Sequence, residues 1–130
     1  MINISEEENE SLSWQNFENG CQELAKKIKD SGIVFNSIGT FSRGGFPIAC
    51  CLSHLLDIEK IDVIKEEDTS ATKDCLVVDD ISDTGKTLHH AKILGYTHFA
   101  TLHWHSQSIV KPTWYVWEKK DAWIVYPWEV

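Results

Sequence analysis

Positive charge is scarce in this sequence: 12 Lys and Arg stand against 20 Asp and Glu, a formal net charge of -8. A surface of that sign repels nucleic-acid phosphates, which argues against a DNA- or RNA-binding role. No apolar run approaches the ~20 residues that a membrane-spanning helix needs. The opening stretch, residues 1–8, is acidic and has no apolar signal core. A soluble, cytoplasmic protein with no membrane partner is the expectation. No C-x-x-C pair occurs. The four cysteines, Cys21, Cys50, Cys51 and Cys75, read as reduced, mostly buried thiols in a reducing compartment. Repeats and low-complexity linkers are absent too.

What is present fits one domain over residues 1–130, with 1–11 a solvated N-terminal tail. Hydrophobic residues make up 42% and charged residues 25%, an ordinary globular balance. Four of the six Trp (Trp114, Trp117, Trp123 and Trp128) crowd the end of the chain, where aromatic rings must cover a core edge or a flat ligand. Trp14, Trp114 and Trp117 read as core or interface. Ser13 is a candidate N-cap for a helix from Trp14 to about Lys29, with Phe17, Cys21, Leu24, Ala25 and Ile28 at three- and four-residue steps; Gly32 ends it. A strand over 37–41, a turn at 42–45 and a helix over 47–56 follow. A short strand at 61–65 leads into a polar loop. Cys75-Leu76-Val77-Val78 is a fully apolar strand that stops at two carboxylates. A helix over 85–94, a strand over 99–104 and two late extended segments at 114–117 and 123–126 complete the pattern. Strands alternating with helices imply α/β architecture with a mostly parallel sheet covered on both faces. Ligands in such folds sit at the carboxyl ends of the strands.

The chemistry concentrates in Asp79-Asp80-Ile81-Ser82-Asp83-Thr84-Gly85-Lys86-Thr87. A buried strand delivers adjacent carboxylates to its end, a small and hydroxylated loop follows, and a helix begins. Loop amides and the helix N-terminus form an anion site. Gly85 lets the backbone approach the anion, Thr84 and Thr87 add hydroxyls, and Lys86 adds charge. Two carboxylates beside a phosphate site suit sugar hydroxyls and a magnesium ion. The combination asks for a ligand with both a phosphate and a polyol. A solvated turn is the bland alternative, and three acids within five residues argue against it. A P-loop is rejected, because Asp80 stands where that motif requires Gly. Asp83-Thr84-Gly85 also matches the short aspartic-protease signature, but that fold is all-β and a helical pattern follows directly here.

This segment, with its preceding apolar run, resembles the 5-phosphoribosyl-1-pyrophosphate (PRPP) signature of the type I phosphoribosyltransferases. Phe41-Ser42-Arg43-Gly44-Gly45 resembles the family's pyrophosphate loop. Residues 121–129, Asp-Ala-Trp-Ile-Val-Tyr-Pro-Trp-Glu, are similar to the base-binding tail of the short xanthine/guanine/hypoxanthine enzymes. The resemblance spans about Leu12 to Glu129. It implies a single-domain type I phosphoribosyltransferase fold with a small hood formed by the C-terminal tail. The implied activity moves the 5-phosphoribosyl group of PRPP to a purine base, a 6-oxopurine by the tail, with release of pyrophosphate, in salvage. The implied enzyme is magnesium-dependent and a homodimer or higher homo-oligomer. In that scheme Asp83, Thr84, Gly85, Lys86 and Thr87 hold the 5′-phosphate. Asp79 and Asp80 face the ribose hydroxyls and the magnesium, directly or through water. Asp83 also lies near N7 of the purine as general base or hydrogen-bond partner. Ser42, Arg43 and Gly44 contact the pyrophosphate, Trp123 stacks on the base, and Ile124 reads its edge through backbone groups.

Two departures stand out. The oxopurine enzymes usually carry a Lys on the strand after the PRPP helix to contact the exocyclic oxygen; His105 occupies that place and is assigned to the base. The hood loop before Asp74 is short, offering Lys65, Thr69, Ser70 and Lys73. Both departures keep open a second class, a non-catalytic PRPP or nucleotide sensor on the same fold. His103 shares a face with His105, and without a third ligand packing or base contact is the better reading than metal binding. His89 and His90 read as solvent-facing.

Overall fold

A computed structural model describes residues 9–129. The element order is β1 (Asn9–Ser11), α1 (Trp14–Asp30), β2 (Ser37–Thr40), α2 (Phe46–Leu56), β3 (Ile61–Val63), β4 (Cys75–Ser82), α3 (Lys86–Leu94), β5 (His98–His105), β6 (Trp114–Lys119) and β7 (Trp123–Val125). Helix α1 starts where its cap dictates. The Ser13 hydroxyl accepts from the Asn16 amide at 3.0 Å, and the Asn16 side chain accepts from the Ser13 amide at 3.3 Å. This reciprocal pairing satisfies two amides that have no partner within the helix. The expected stripe of Phe17, Cys21, Leu24, Ala25 and Ile28 is buried, and Lys27 and Lys29 in the last turn suit the negative end of the helix dipole.

The central sheet has five parallel strands in the order β3-β2-β4-β5-β6. Strand β4 lies in its middle, paired on both sides. Helices α1 and α2 cover one face, packing Leu24, Ile28, Ile48 and Leu52 against Leu76, Val78, Ala100 and Leu102. Helix α3 covers the other, with Leu88 and Ala91 against Val77, Cys75 and Phe99. The alternation of Cys75/Val77 with Leu76/Val78 between the faces is the two-residue period of a strand buried on both sides.

Three expectations need correction. Strand β4 does not stop at Val78. It continues to Ser82, with Asp79 opposite Thr101 and Ser82 opposite Trp104. The ladder to β5 satisfies the backbone amides there, so a polar side chain does not end the strand. Asn9–Ser11, read as part of a solvated tail, forms a parallel strand against Trp123–Val125, and the Leu12 amide donates to the Val125 carbonyl at 2.8 Å. Its side chains are exposed, and only its backbone is engaged; residues 1–8 of that tail lie outside the described residues. Cys50 is exposed and Cys51 half-buried, while Cys21 and Cys75 are buried.

One polar link ties the tail to the sheet. Tyr126, next after β7, donates its hydroxyl to the Asp80 carbonyl at 3.2 Å, and His103 Nδ1 lies 2.9 Å from the same oxygen. With the hydroxyl hydrogen committed to Asp80, Nδ1–H is the donor of the second bond. His103 is therefore a packed core histidine, and burial, followed by the Lys119 charge, depresses its pKa to about 4. The unfolded chain takes up a proton that the fold refuses, so this histidine lowers stability as pH falls from 6.5 towards 4. Tyr126→Phe leaves the buried imidazole N–H without an acceptor, and the expected cost is about 1–3 kcal/mol, read as a lower midpoint in urea at pH 7. An unchanged midpoint would show that the link carries no stability.

Candidate active site

Strands β2 and β4 are neighbours, yet β3 lies on the far side of β2 and β5 on the far side of β4. The chain therefore diverges above their carboxyl ends, and the two loops leaving them flank a crevice. One loop is residues 41–45, whose Ser42–Arg43 peptide is cis. The other runs from Asp83 to the start of α3. The first loop packs directly on β4: a Cβ added at Gly44 would lie 2.6 Å from Asp80 Oδ2. Gly85 has φ +86 and caps α3, and a Cβ there would come within 2.8 Å of the Ile109 and Val110 amides. A side chain at Gly44 would displace the first loop from β4, and one at Gly85 would displace the second from residues 108–110.

Three cavities meet at Asp80. The first, of about 200 Å³, is walled by Asp79 through Leu88. It contains the Thr84-Gly85-Lys86-Thr87 turn, with Thr84, Lys86 and Thr87 exposed and the Lys86 amide 3.4 Å from Thr84 Oγ1. The second, of about 210 Å³, lies between Asp80, Ile81 and Asp83 on one side and Trp123, Ile124 and Tyr126 on the other; Lys119 and Glu129 complete its wall. The third, of about 670 Å³, is bounded by Arg43, Gly44, Phe46, Asp80, Trp128 and Glu129, with Pro47. Ser42 is exposed beside Arg43. Residues 84–87, expected at the phosphate, Arg43 and Gly44, expected at the pyrophosphate, and Trp123 and Ile124, expected at the base, thus line separate compartments around one carboxylate.

The electrostatics of the crevice are set by burial and by the closeness of two carboxyl groups. Asp79 is 8% exposed, and burial, then the neighbouring Asp80, raises its pKa well above the usual carboxylate value. Burial raises Asp80 as well. Neither takes part in an ion pair among the described residues. Each is held by backbone: Asp79 Oδ1 accepts from the Asp80 amide at 2.9 Å and Asp80 Oδ1 from the Ile81 amide at 2.8 Å. Asp83 differs. Its Oδ2 accepts from Lys119 Nζ at 3.1 Å, and its Oδ1 is buried with no hydrogen-bond partner among the described residues.

His105, like Ser42, is an expected site residue that lines none of the three cavities. It does not line the Trp123 cavity, and its Nδ1 accepts from the Gln107 amide at 3.1 Å. The cation beside that cavity is Lys119, directly opposite His105 on the next strand. Sequence reasoning passed over it because it sits in a charged run, Glu118-Lys119-Lys120-Asp121, that reads as solvated. Only the register of β6 against β5 reveals its place. His89 is exposed as expected; His90 is half-buried, its Nε2 3.4 Å from the Lys65 carbonyl.

No family model matches the chain. It is 29% identical to a xanthine-guanine phosphoribosyltransferase of Desulfotalea psychrophila, covering 91% of this chain and 84% of the relative. Among solved structures, a purine phosphoribosyltransferase from Pyrococcus horikoshii is 30% identical over 95% of both chains, with a TM-score of 0.78. The chain belongs to the purine phosphoribosyltransferases. The xanthine-guanine-hypoxanthine phosphoribosyltransferase of Helicobacter pylori superimposes with a TM-score of 0.81 at 24% identity over 94% of both chains and shares the fold. The five-stranded parallel sheet with helices on both faces is thus the type I phosphoribosyltransferase fold.

The acids of this phosphoribosyltransferase also meet the requirements of a hard divalent cation. Asp79 and Asp80 offer oxygen ligands and lack positive charge. Among the described residues no group of three His, Cys, Asp or Glu stands together. The cation-free protein carries a cost for this arrangement. Above the ordinary carboxylate value of 3.8, the unfolded Asp79 loses its proton while the folded one retains it. Stability contributed at this position therefore falls as pH rises, by about 1.4 kcal/mol per unit of displaced pKa. Asp79→Asn removes that cost. In EDTA its Tm is expected to exceed that of the wild type by a few degrees, and by more at pH 8 than at pH 5. A deficit equal at both pH values would overturn this account.

Proposed function

We propose that this protein transfers the 5-phosphoribosyl group of PRPP to a purine base with release of pyrophosphate, as a magnesium-dependent salvage enzyme acting as a homodimer in the cytoplasm. The observation that carries the reading is Asp83. It stands on the wall between the phosphate-type cavity and the aromatic cavity, and one of its oxygens is buried without a partner. A buried acceptor left free is costly in the empty protein. A purine N–H in the Trp123 cavity is the donor it lacks. A sensor on this fold has no need of such a group.

The residues divide the work by position. Thr84, Gly85, Lys86 and Thr87 receive the 5′-phosphate through amides, hydroxyls and one ammonium. Arg43 and the 42–44 backbone face the pyrophosphate, and their positive charge and dipoles stabilise it as it departs. Asp79 and Asp80 face the ribose hydroxyls and would hold magnesium, which when bound neutralises charge on the leaving group. Trp123, 61% exposed in the empty protein, offers its face to the base. The bond between C1 of the ribose and the pyrophosphate oxygen breaks, N9 of the purine forms the new bond to C1, and Asp83 accepts the proton from N7. Holding the reactants in this order supplies much of the rate.

The test is pyrophosphate release measured with PRPP, magnesium and a panel of purines. Asp83→Asn is expected to lower kcat about 10²- to 10⁴-fold while changing the KM for PRPP much less. Release that needs no purine, or equal losses in kcat and PRPP affinity, would remove Asp83 from the proton transfer. No release with any base would leave the binding-module reading in possession.

A further inference from the structure

We infer that Lys119 is the residue that selects a 6-oxopurine, reading the exocyclic oxygen from β6 in place of a cation on β5. The inference rests on the assignment of the Trp123 cavity to the purine. Lys119 is the only basic residue on that wall among the described residues, facing the carboxylates of Asp80, Asp83 and Glu129. Its side chain is only 10% exposed, unlike its neighbour Lys120 at 79%. Nζ lies 3.1 Å from Asp83 Oδ2 and 5.7 Å from the centroid of the Trp123 ring. An ammonium has three donors, and among the described residues this one uses a single donor, on Asp83. A buried cation beside the stacking face, with donors to spare, asks for an acceptor on the ligand.

The chemistry of the purine edge supplies one. N7 and the C6 substituent are neighbours on the same edge of the ring. A 6-oxopurine carrying its hydrogen on N7 presents a donor beside an acceptor. Asp83 and Lys119 present an acceptor beside a donor, so both pairs close. Adenine presents an amino group at C6, a donor facing the ammonium, and leaves the cation unsatisfied. Sites that pair a buried polar group reject the ligand lacking its partner far more strongly than apolar pockets reject a shape.

The position is explained by register. Lys119 is directly opposite His105 across parallel strands, and residues paired in this way project to the same face of the sheet. A cation can therefore move one strand outward and still serve the same side of the sheet. His105 does not compete for the role, since its ring is engaged by Gln107 outside the cavity.

The experiment compares wild type, Lys119→Met and His105→Ala. The quantity is the ratio of kcat/KM for hypoxanthine to that for adenine, with PRPP and magnesium. The same ratio is measured as equilibrium affinity for inosine and adenosine 5′-monophosphates, which needs no turnover. The ratio is expected to fall about 10- to 100-fold in Lys119→Met, the range for losing a hydrogen bond to a charged group, and to hold in His105→Ala. Equal losses for both purines would make Lys119 a positioning partner of Asp83 and overturn the inference. So would a ratio that falls in His105→Ala and holds in Lys119→Met. A wild type without turnover that still prefers the inosine nucleotide, and loses that preference in Lys119→Met, would sink the enzymatic reading and leave this one standing. Melting curves of each variant confirm that the fold survives.

Discussion

The molecule is organised around two carboxylates that the central strand carries beyond its apolar stretch. Because β4 is paired on both sides, whatever it bears is shielded by sheet, helices and loops together. Burying acids without a cation is unfavourable, and the surroundings respond to that cost in several ways. Backbone amides of Asp80 and Ile81 bond the two side chains. Gly44 makes room for Asp80 where any side chain would collide. The Tyr126 hydroxyl bonds the Asp80 carbonyl and fixes the tail over the strand.

This also resolves how so acidic a chain can hold phosphate. The net charge of -8 acts over the whole surface and is screened beyond about a Debye length. The local field is set by a few groups: Arg43 at one loop, Lys86 at the start of α3 and Lys119 against Asp83. Amides of the 84–87 turn add partial positive charge without adding any formal charge. Each compartment around Asp80 thus contains one basic side chain.

The parts legible in the sequence were those governed by local pattern. The α1 stripe, its Ser13 cap, the apolar approach to Asp79 and the Thr84–Thr87 turn each depend on residues a few positions apart, and they stand where pattern places them. What could not be read depended on pairing across the sheet. The extension of β4 to Ser82 is enforced by β5, and the recruitment of Asn9–Ser11 by β7. Neither has a periodic signal of its own. His105 and Lys119 illustrate the limit most clearly. Position along the chain points to the first, and the register between β5 and β6 points to the second.

That register makes a general physical point about how such a site tolerates change. A ligand edge senses the position of a charge and is blind to the strand that supplies it. Parallel neighbours in register offer nearly equivalent starting points, and a long flexible side chain such as lysine absorbs the remaining offset. What cannot be moved as freely is Asp83. Its place is set by the strand-to-helix turn that also forms the phosphate cradle, with Gly85 held against Ile109 and Val110. On the proposed reading, the proton acceptor adjoins the phosphate site along the chain, whereas the cation that reads the exocyclic atom is joined to it only through the sheet. On that reading, base preference is less tightly tied to the phosphate site than phosphoribosyl positioning is.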